Sequence, residues 1–260
     1  MENKEKKMDA KKIEALKGLL KKLNEGEISE DLRKESLEIV KNINPLELSV
    51  AEQSLIDEGM NPTDLRHLCD IHMEVLKDEL EKLKSNIDKG HVLYTLVAEH
   101  DEIVKLLDRL EEINKEISKL NKYDENNKIF NELVEVANLI IEAELHHKRE
   151  EDVLFKELED REITGPTRIM KMEHDTLRAK KIAIRELGNT VKYIGFDDFK
   201  ERLDQLAKEL IYELKDHIFK ENYILYPTAL EAIESTEKWN EMRVKCDEIG
   251  YCPFTPQESL

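Results

Sequence analysis

The stretch LVEVANLIIEAELHHKREEDVLFKEL, residues 133–158, decides the fold. Leu133, Val136, Ile140, Ala143, Leu154 and Leu158 recur at three- and four-residue spacings, the period of a helix that buries one face. His147 and Glu151 fall on the same stripe, one turn apart. A carboxylate buried there alone would be strongly disfavoured or forced to hold a proton. The stripe therefore predicts a long helix and also a partner for its polar residues.

Three further helices share the design. One carries Leu93, Leu96, Val97, His100, Ile103, Val104, Leu107 and Leu110, and another carries Met170, His174, Leu177 and Ile184. The last carries Leu203, Leu206, Leu210, Leu214, His217, Glu221, Ile224 and Thr228. The connections NKYDENN, REITGP and GNTVKYIGF separate helices predicted at about 91–120, 126–160, 166–188 and 196–232. Four long helices joined by short connections predict an all-α, up-down-up-down four-helix bundle.

Upstream, shorter helices are predicted at about 9–24, 29–43, 48–58 and 61–87, the last opened by Asn61 as cap and Pro62 in its first turn. Downstream, a short helix near 236–247 precedes GYCPFTPQESL, whose Gly250, Pro253 and Pro256 oppose helix. The expected organisation is a small helical module at 1–88, the bundle at 89–234, and a C-terminal helix and tail at 235–260.

With 59 acidic against 41 basic residues the chain carries a formal charge of −18, which disfavours nucleic acid and anionic membranes as partners. No stretch reaches the ~20 apolar residues of a membrane-spanning helix, and MENKEKKMDAKK lacks the apolar core of a signal peptide. Cys69, Cys246 and Cys252 make no disulfide framework. A reducing, cytoplasmic setting is the expectation.

Each bundle helix thus aims one imidazole inward, His100, His147, His174 and His217, and two add Glu151 and Glu221 one turn later. These six side chains read as metal ligands, because two cations with overlapping shells stabilise buried carboxylates and neutral imidazoles together. Nitrogen and oxygen donors without thiolate suit iron or manganese, and zinc accepts the same set. No Gly-rich phosphate loop, GxSxG or CxxC offers a competing chemistry.

The order H, HxxxE, H, HxxxE resembles the hemerythrin-like domains that hold a non-haem di-iron centre. The likeness is carried by His100 with Asp101, by HHKREEDVLF at 146–155, by GPTRIMKMEHDTLR at 165–178 and by HIFKENYILYP at 217–227. It implies two iron ions, oxo- or hydroxo-bridged, held by His100, His147, His174 and His217 with Glu151 and Glu221 bridging. Oxygen-carrying hemerythrins have a paired HxxxH in the third helix, whereas Arg178 stands four after His174 here. The pattern is closer to the bacterial branch with two HxxxE pairs, which includes di-iron proteins that repair iron-sulfur clusters.

The resemblance implies a protein that binds or reacts with dioxygen, nitric oxide or peroxide in oxidative or nitrosative stress response or sensing. Cluster repair or detoxification is the alternative, and a metal-free helical interaction scaffold a second one. EQSLIDEGMNPTDLRHLCDIHMEVL, at 52–76, resembles a helical domain of unknown function that precedes hemerythrin-like domains.

Some members of that branch have a fifth histidine late in the first bundle helix, but none lies between His100 and His146 here, which leaves one coordination position unassigned, with His146, His91 and Tyr123 as the residues that could fill it. His146 sits on a more charged stripe, with Leu139, Glu142, Glu150, Val153 and Glu157, and is expected to be partly exposed. His91 is expected to cap the helix start or face solvent, and Tyr123 to pack. Cys69 and His72 read as a buried thiol and a core histidine, Cys246 and Cys252 as unpaired thiols.

Overall fold

Helix α1, Val92–Ser118, begins where the His91 side chain accepts a hydrogen bond from the backbone N–H of Leu93. In the computed structural model residues 87–260 are described, together with Gly18, Glu58, Gly59, Lys84 and Ser85. The helices expected at 9–87, with Cys69 and His72, lie outside the described residues apart from those isolated positions. The chain divides into two compact units, Met1–Lys82 and Leu83–Leu260, and the C-terminal helix and tail belong to the second.

The second rod of the bundle is made of α2 (Ile129–Glu142), α3 (Glu144–Arg149), a π-helical turn at Glu150–Leu154 and α4 (Phe155–Glu159). The third is α5, Gly165–Thr190. The fourth joins α6 (Phe196–Lys220), a second π-helical turn at Glu221–Leu225 and α7 (Tyr226–Ala232). Helix α8, Thr236–Ile249, follows. No strand occurs among the described residues. Helix α1 packs on α2 and α6, and α5 packs on the same two, so the fold is an all-α up-down-up-down bundle.

Its two halves differ in chemistry. Leu107, Leu110 and Ile113 of α1 meet Leu133 and Ala137 of α2, Ile184 of α5, and Leu203 and Ala207 of α6 in an apolar core. Full burial of each large side chain there contributes about 1.5–3 kcal/mol. The up-down-up-down order then sets the first halves of α1 and α5 beside the last halves of the second and fourth rods. His100, His146, His147, His174 and His217 consequently share one end.

Local features depart from the simple helical period. The π turn after α6 adds a residue, so Leu225 and Ala229 take the buried positions that an unbroken α-helix would give to Ile224 and Thr228. Gly188 does not end the third rod as its type suggested. Helix α5 continues to Thr190, and a Cβ at 188 would lie 2.9 Å from Val134 Cγ2, so the glycine permits close approach of α2.

Helix α8 buries Trp239, Met242 and Cys246 against α1, α3 and the first π turn. The tail is tied down by Thr95, whose hydroxyl donates to the Ser259 carbonyl at 2.7 Å. Tyr123 packs edge-on against Phe130, and Cys246 and Cys252 are buried free thiols.

Candidate metal centre

His100 and Glu99 project from α1, His146 and His147 from α3, and Glu150 opens the π turn that follows. His174 comes from α5, His217 from α6, and Glu221 opens the second π turn. Both carboxylates of the cluster therefore sit where the helix widens, a feature frequent at functional sites.

The inward atoms converge closely. His100 Nε2 lies 3.1 Å from His146 Nε2 and 3.1 Å from Glu221 Oε2. Glu221 Oε1 is 2.8 Å from His217 Nε2 and 3.5 Å from His174 Nε2. Glu150 Oε2 is 3.5 Å from the Nε2 atoms of both His146 and His174. Three overlapping groups have metal-ligand spacing: His147, His174 and His217; His100, His146 and Glu221; and Glu150, His174 and Glu221.

Outer partners orient four of these rings. Asn222 Oδ1 accepts from His100 Nδ1 at 2.8 Å, Glu99 from His146 Nδ1 at 2.8 Å, Glu151 from His174 Nδ1 at 2.6 Å, and Glu173 from His217 Nδ1 at 2.8 Å. An amide or carboxylate oxygen accepts only, so each Nδ1 carries a proton and Nε2 is the nitrogen left to offer a lone pair to a cation inside. His100 and His146 then set two lone pairs face to face. Glu150 Oε2, His174 Nε2, His217 Nε2 and Glu221 Oε1 are buried with no hydrogen-bond partner. A donor set of ring nitrogens and carboxylate oxygens converging in a buried interior fits cations.

His100, His147, His174, His217 and Glu221 are brought together as the sequence placed them. Glu151 is not. Its side chain is 26% exposed, bound to Arg178 Nη2 at 2.7 Å and to the outer face of His174. The carboxylate inside is Glu150. His146, expected to be partly exposed, is 1% exposed within the cluster. Both placements differ from the expectation for one reason: α8 and the tail cover the charged side of the second rod, making an interior of what four helices alone would leave at the surface. Arg149 on that side is fully buried, 2.6 Å from both oxygens of Glu99, which also accepts from Thr255 at 2.5 Å.

Several groups missed in the sequence complete the setting. Tyr226 donates to Glu150 Oε1 at 2.7 Å and stacks on the His100 ring. Glu99, Glu173 and Asn222 adjoin ligand-type residues in the chain, a proximity that could have marked them. Lys181 interrupts the apolar run between Leu177 and Ile184, which was a readable signal.

Charge in the cluster is divided unequally. Burial and the neighbouring Glu221 push the Glu150 carboxyl well above its usual range. For Glu221 burial acts upward too, but His217, His100 and His174 outweigh it and hold the group well below the usual range. Burial lowers His217, yet Glu221 and Glu173 raise it overall to about 9. His217 thus holds a proton at neutral pH before any cation enters. Loading zinc at pH 7 is expected to release about one proton per chain from His217, with apparent affinity rising with pH up to the His217 value. Potentiometric titration in weak buffer checks this, and no proton release on loading would contradict it.

The Glu99–Arg149 pair supports a stability prediction. Both side chains are buried, and truncating one partner strands the other. Glu99→Ala is expected to cost about 3–5 kcal/mol in urea unfolding.

Fold and site together define a four-helix bundle with a cation-binding interior. Residues 91–229 match the hemerythrin HHE cation binding domain, and residues 16–82 match a family of unknown function, DUF438. The first match spans more than half of the chain, which belongs to the hemerythrin HHE family. No curated protein matches the chain. Among the described residues, no helix is long and apolar enough to cross a membrane.

Proposed function

We propose that the bundle holds a pair of iron ions and binds or reacts with dioxygen, nitric oxide or peroxide, as a cytoplasmic sensor or stress-response protein. His147, His174 and His217 hold one ion, His100 and His146 the other, and Glu150 and Glu221 lie between them. This revises the six-residue set read from the sequence by exchanging Glu151 for Glu150 and adding His146. The observation that carries the reading is the group of unpaired buried atoms on Glu150, His174, His217 and Glu221. Nitrogen and oxygen donors in this mixture suit iron.

A pair of ferrous ions held by these residues would supply electrons to a small ligand. The residues around them do the rest. Glu99, Glu151, Glu173 and Asn222 fix the rings and keep their protons on the outer nitrogens. Phe155 stacks on His174 and helps exclude water. Tyr226 keeps a proton at its hydroxyl, 2.7 Å from Glu150 and 3.5 Å from His100 Nε2, since burial and Glu150 raise its pKa well above the usual value.

Anaerobic titration of the reduced, iron-loaded protein with dioxygen and then nitric oxide tests the reading. A stoichiometric spectral change without turnover is expected of a sensor. Multiple turnovers with a reductant, or iron transfer to a damaged cluster protein, identify the detoxifying or repair function instead. No spectral response in protein that contains iron contradicts the proposal.

A further inference from the structure

The two carboxylates inside the cluster are held differently. Glu221 turns one oxygen to each side of the site, with Oε1 at 2.8 Å from His217 Nε2 and Oε2 at 3.1 Å from His100 Nε2. Glu150 offers only one. Its Oε2 lies 3.5 Å from the Nε2 atoms of both His146 and His174 and has no hydrogen-bond partner, whereas Oε1 accepts from the Tyr226 hydroxyl at 2.7 Å.

Tyr226 is fixed for that contact. It opens α7, directly after the π turn that Glu221 begins, and is fully buried. Its ring lies parallel to that of His100 with centroids 5.6 Å apart, and its hydroxyl oxygen stands 3.5 Å from His100 Nε2. The last torsion of a glutamate is soft, so a single hydrogen bond decides which way the carboxylate faces. The phenol donates that bond from the His100 side of Glu150.

The consequence falls on one side of the site. A cation among His147, His174 and His217 meets three imidazoles, Glu221 Oε1 and Glu150 Oε2. A cation beside His100 and His146 meets two imidazoles, Glu221 Oε2 and that same Glu150 oxygen. Glu150 Oε1 is a further donor on this poorer side, and Tyr226 occupies it.

We propose that Tyr226 is a positioning residue that keeps Glu150 Oε1 off the cation beside His100 and His146, so that this cation retains an open position for a diatomic ligand or peroxide. A metal whose positions are all filled by protein takes up no such ligand. The hydroxyl thus lowers metal affinity and preserves ligand access. The inference rests on the metal reading, and Tyr226→Phe, which removes the hydroxyl and keeps the ring, isolates it.

The full chain loaded with redox-silent manganese is the first probe. In wild-type crystals Glu150 should contact manganese through Oε2 alone, with Oε1 on the Tyr226 hydroxyl. In Tyr226→Phe, Oε1 should turn onto the ion beside His100. Manganese should also raise the melting temperature of the variant more than that of the wild type, because the orphaned oxygen gains a partner only when the ion enters. With iron, the variant should resist a graded chelator at least as well as the wild type, while nitric oxide added anaerobically to the reduced protein should bind about tenfold more weakly or worse. A packing role would instead lower both. Parallel losses of iron and nitric oxide, an unchanged nitric oxide affinity, or a variant that does not fold even with manganese overturns the proposal. The wild type separates the failures: a chain that takes up no metal refutes the metal reading as well, whereas a metal-loaded chain with both Glu150 oxygens on the ions refutes the positioning role alone.

Discussion

Glu150→Ala should leave at most one iron per chain, whereas Glu151→Gln should still take up two at saturating metal. Glu150 is wholly buried, with Oε2 at 3.5 Å from both His146 and His174 and Oε1 held by Tyr226. Its removal would take away one of the two carboxylates that the proposed site places between its ions, and cations bound there would face each other with less compensating charge. Glu151 acts from outside through His174 Nδ1, and loss of such an orienting partner costs about 10–100-fold in metal affinity. Elemental analysis after dialysis against a graded chelator reads both variants. Equal loss of metal in the two, or a larger loss for Glu151→Gln, would restore Glu151 to the interior.

His146→Ala should remove one ion and spare the other. His100 and His146 face each other at 3.1 Å, and no third imidazole joins them in their group with Glu221. Without His146 that side keeps one imidazole, while His147, His174 and His217 remain a complete triplet. Metal content is expected to fall from two per chain to one, with the near-ultraviolet bands of a coupled ferric pair lost. A surface histidine, as the charged stripe suggested, would change neither quantity.

The contrast shows what the sequence could reveal. His100, His174, His217 and Glu221 were legible because each interrupts an apolar stripe at helical period, and the same stripes gave the four rods and their order. Glu150 and His146 were not, because their side of the second rod is buried by α8 and the tail, which no count of bundle stripes includes. Helix geometry offered a clue. At about 100° per residue Glu150 falls between His146 and His147, while Glu151 falls beyond His147. His146 and Glu150 also share the four-residue spacing of His147 and Glu151. The π turns were invisible in the pattern, yet they set both interior carboxylates and shift the buried positions after Glu221 by one residue.

The central claim is best tested by crystals of protein grown with iron and purified without chelator, measured across the iron absorption edge. Two anomalous peaks are predicted, one among His147, His174 and His217 and one beside His100 and His146, with Glu150 and Glu221 contacting both. No peak at those rings, or one ion bound through Glu151, would contradict the account.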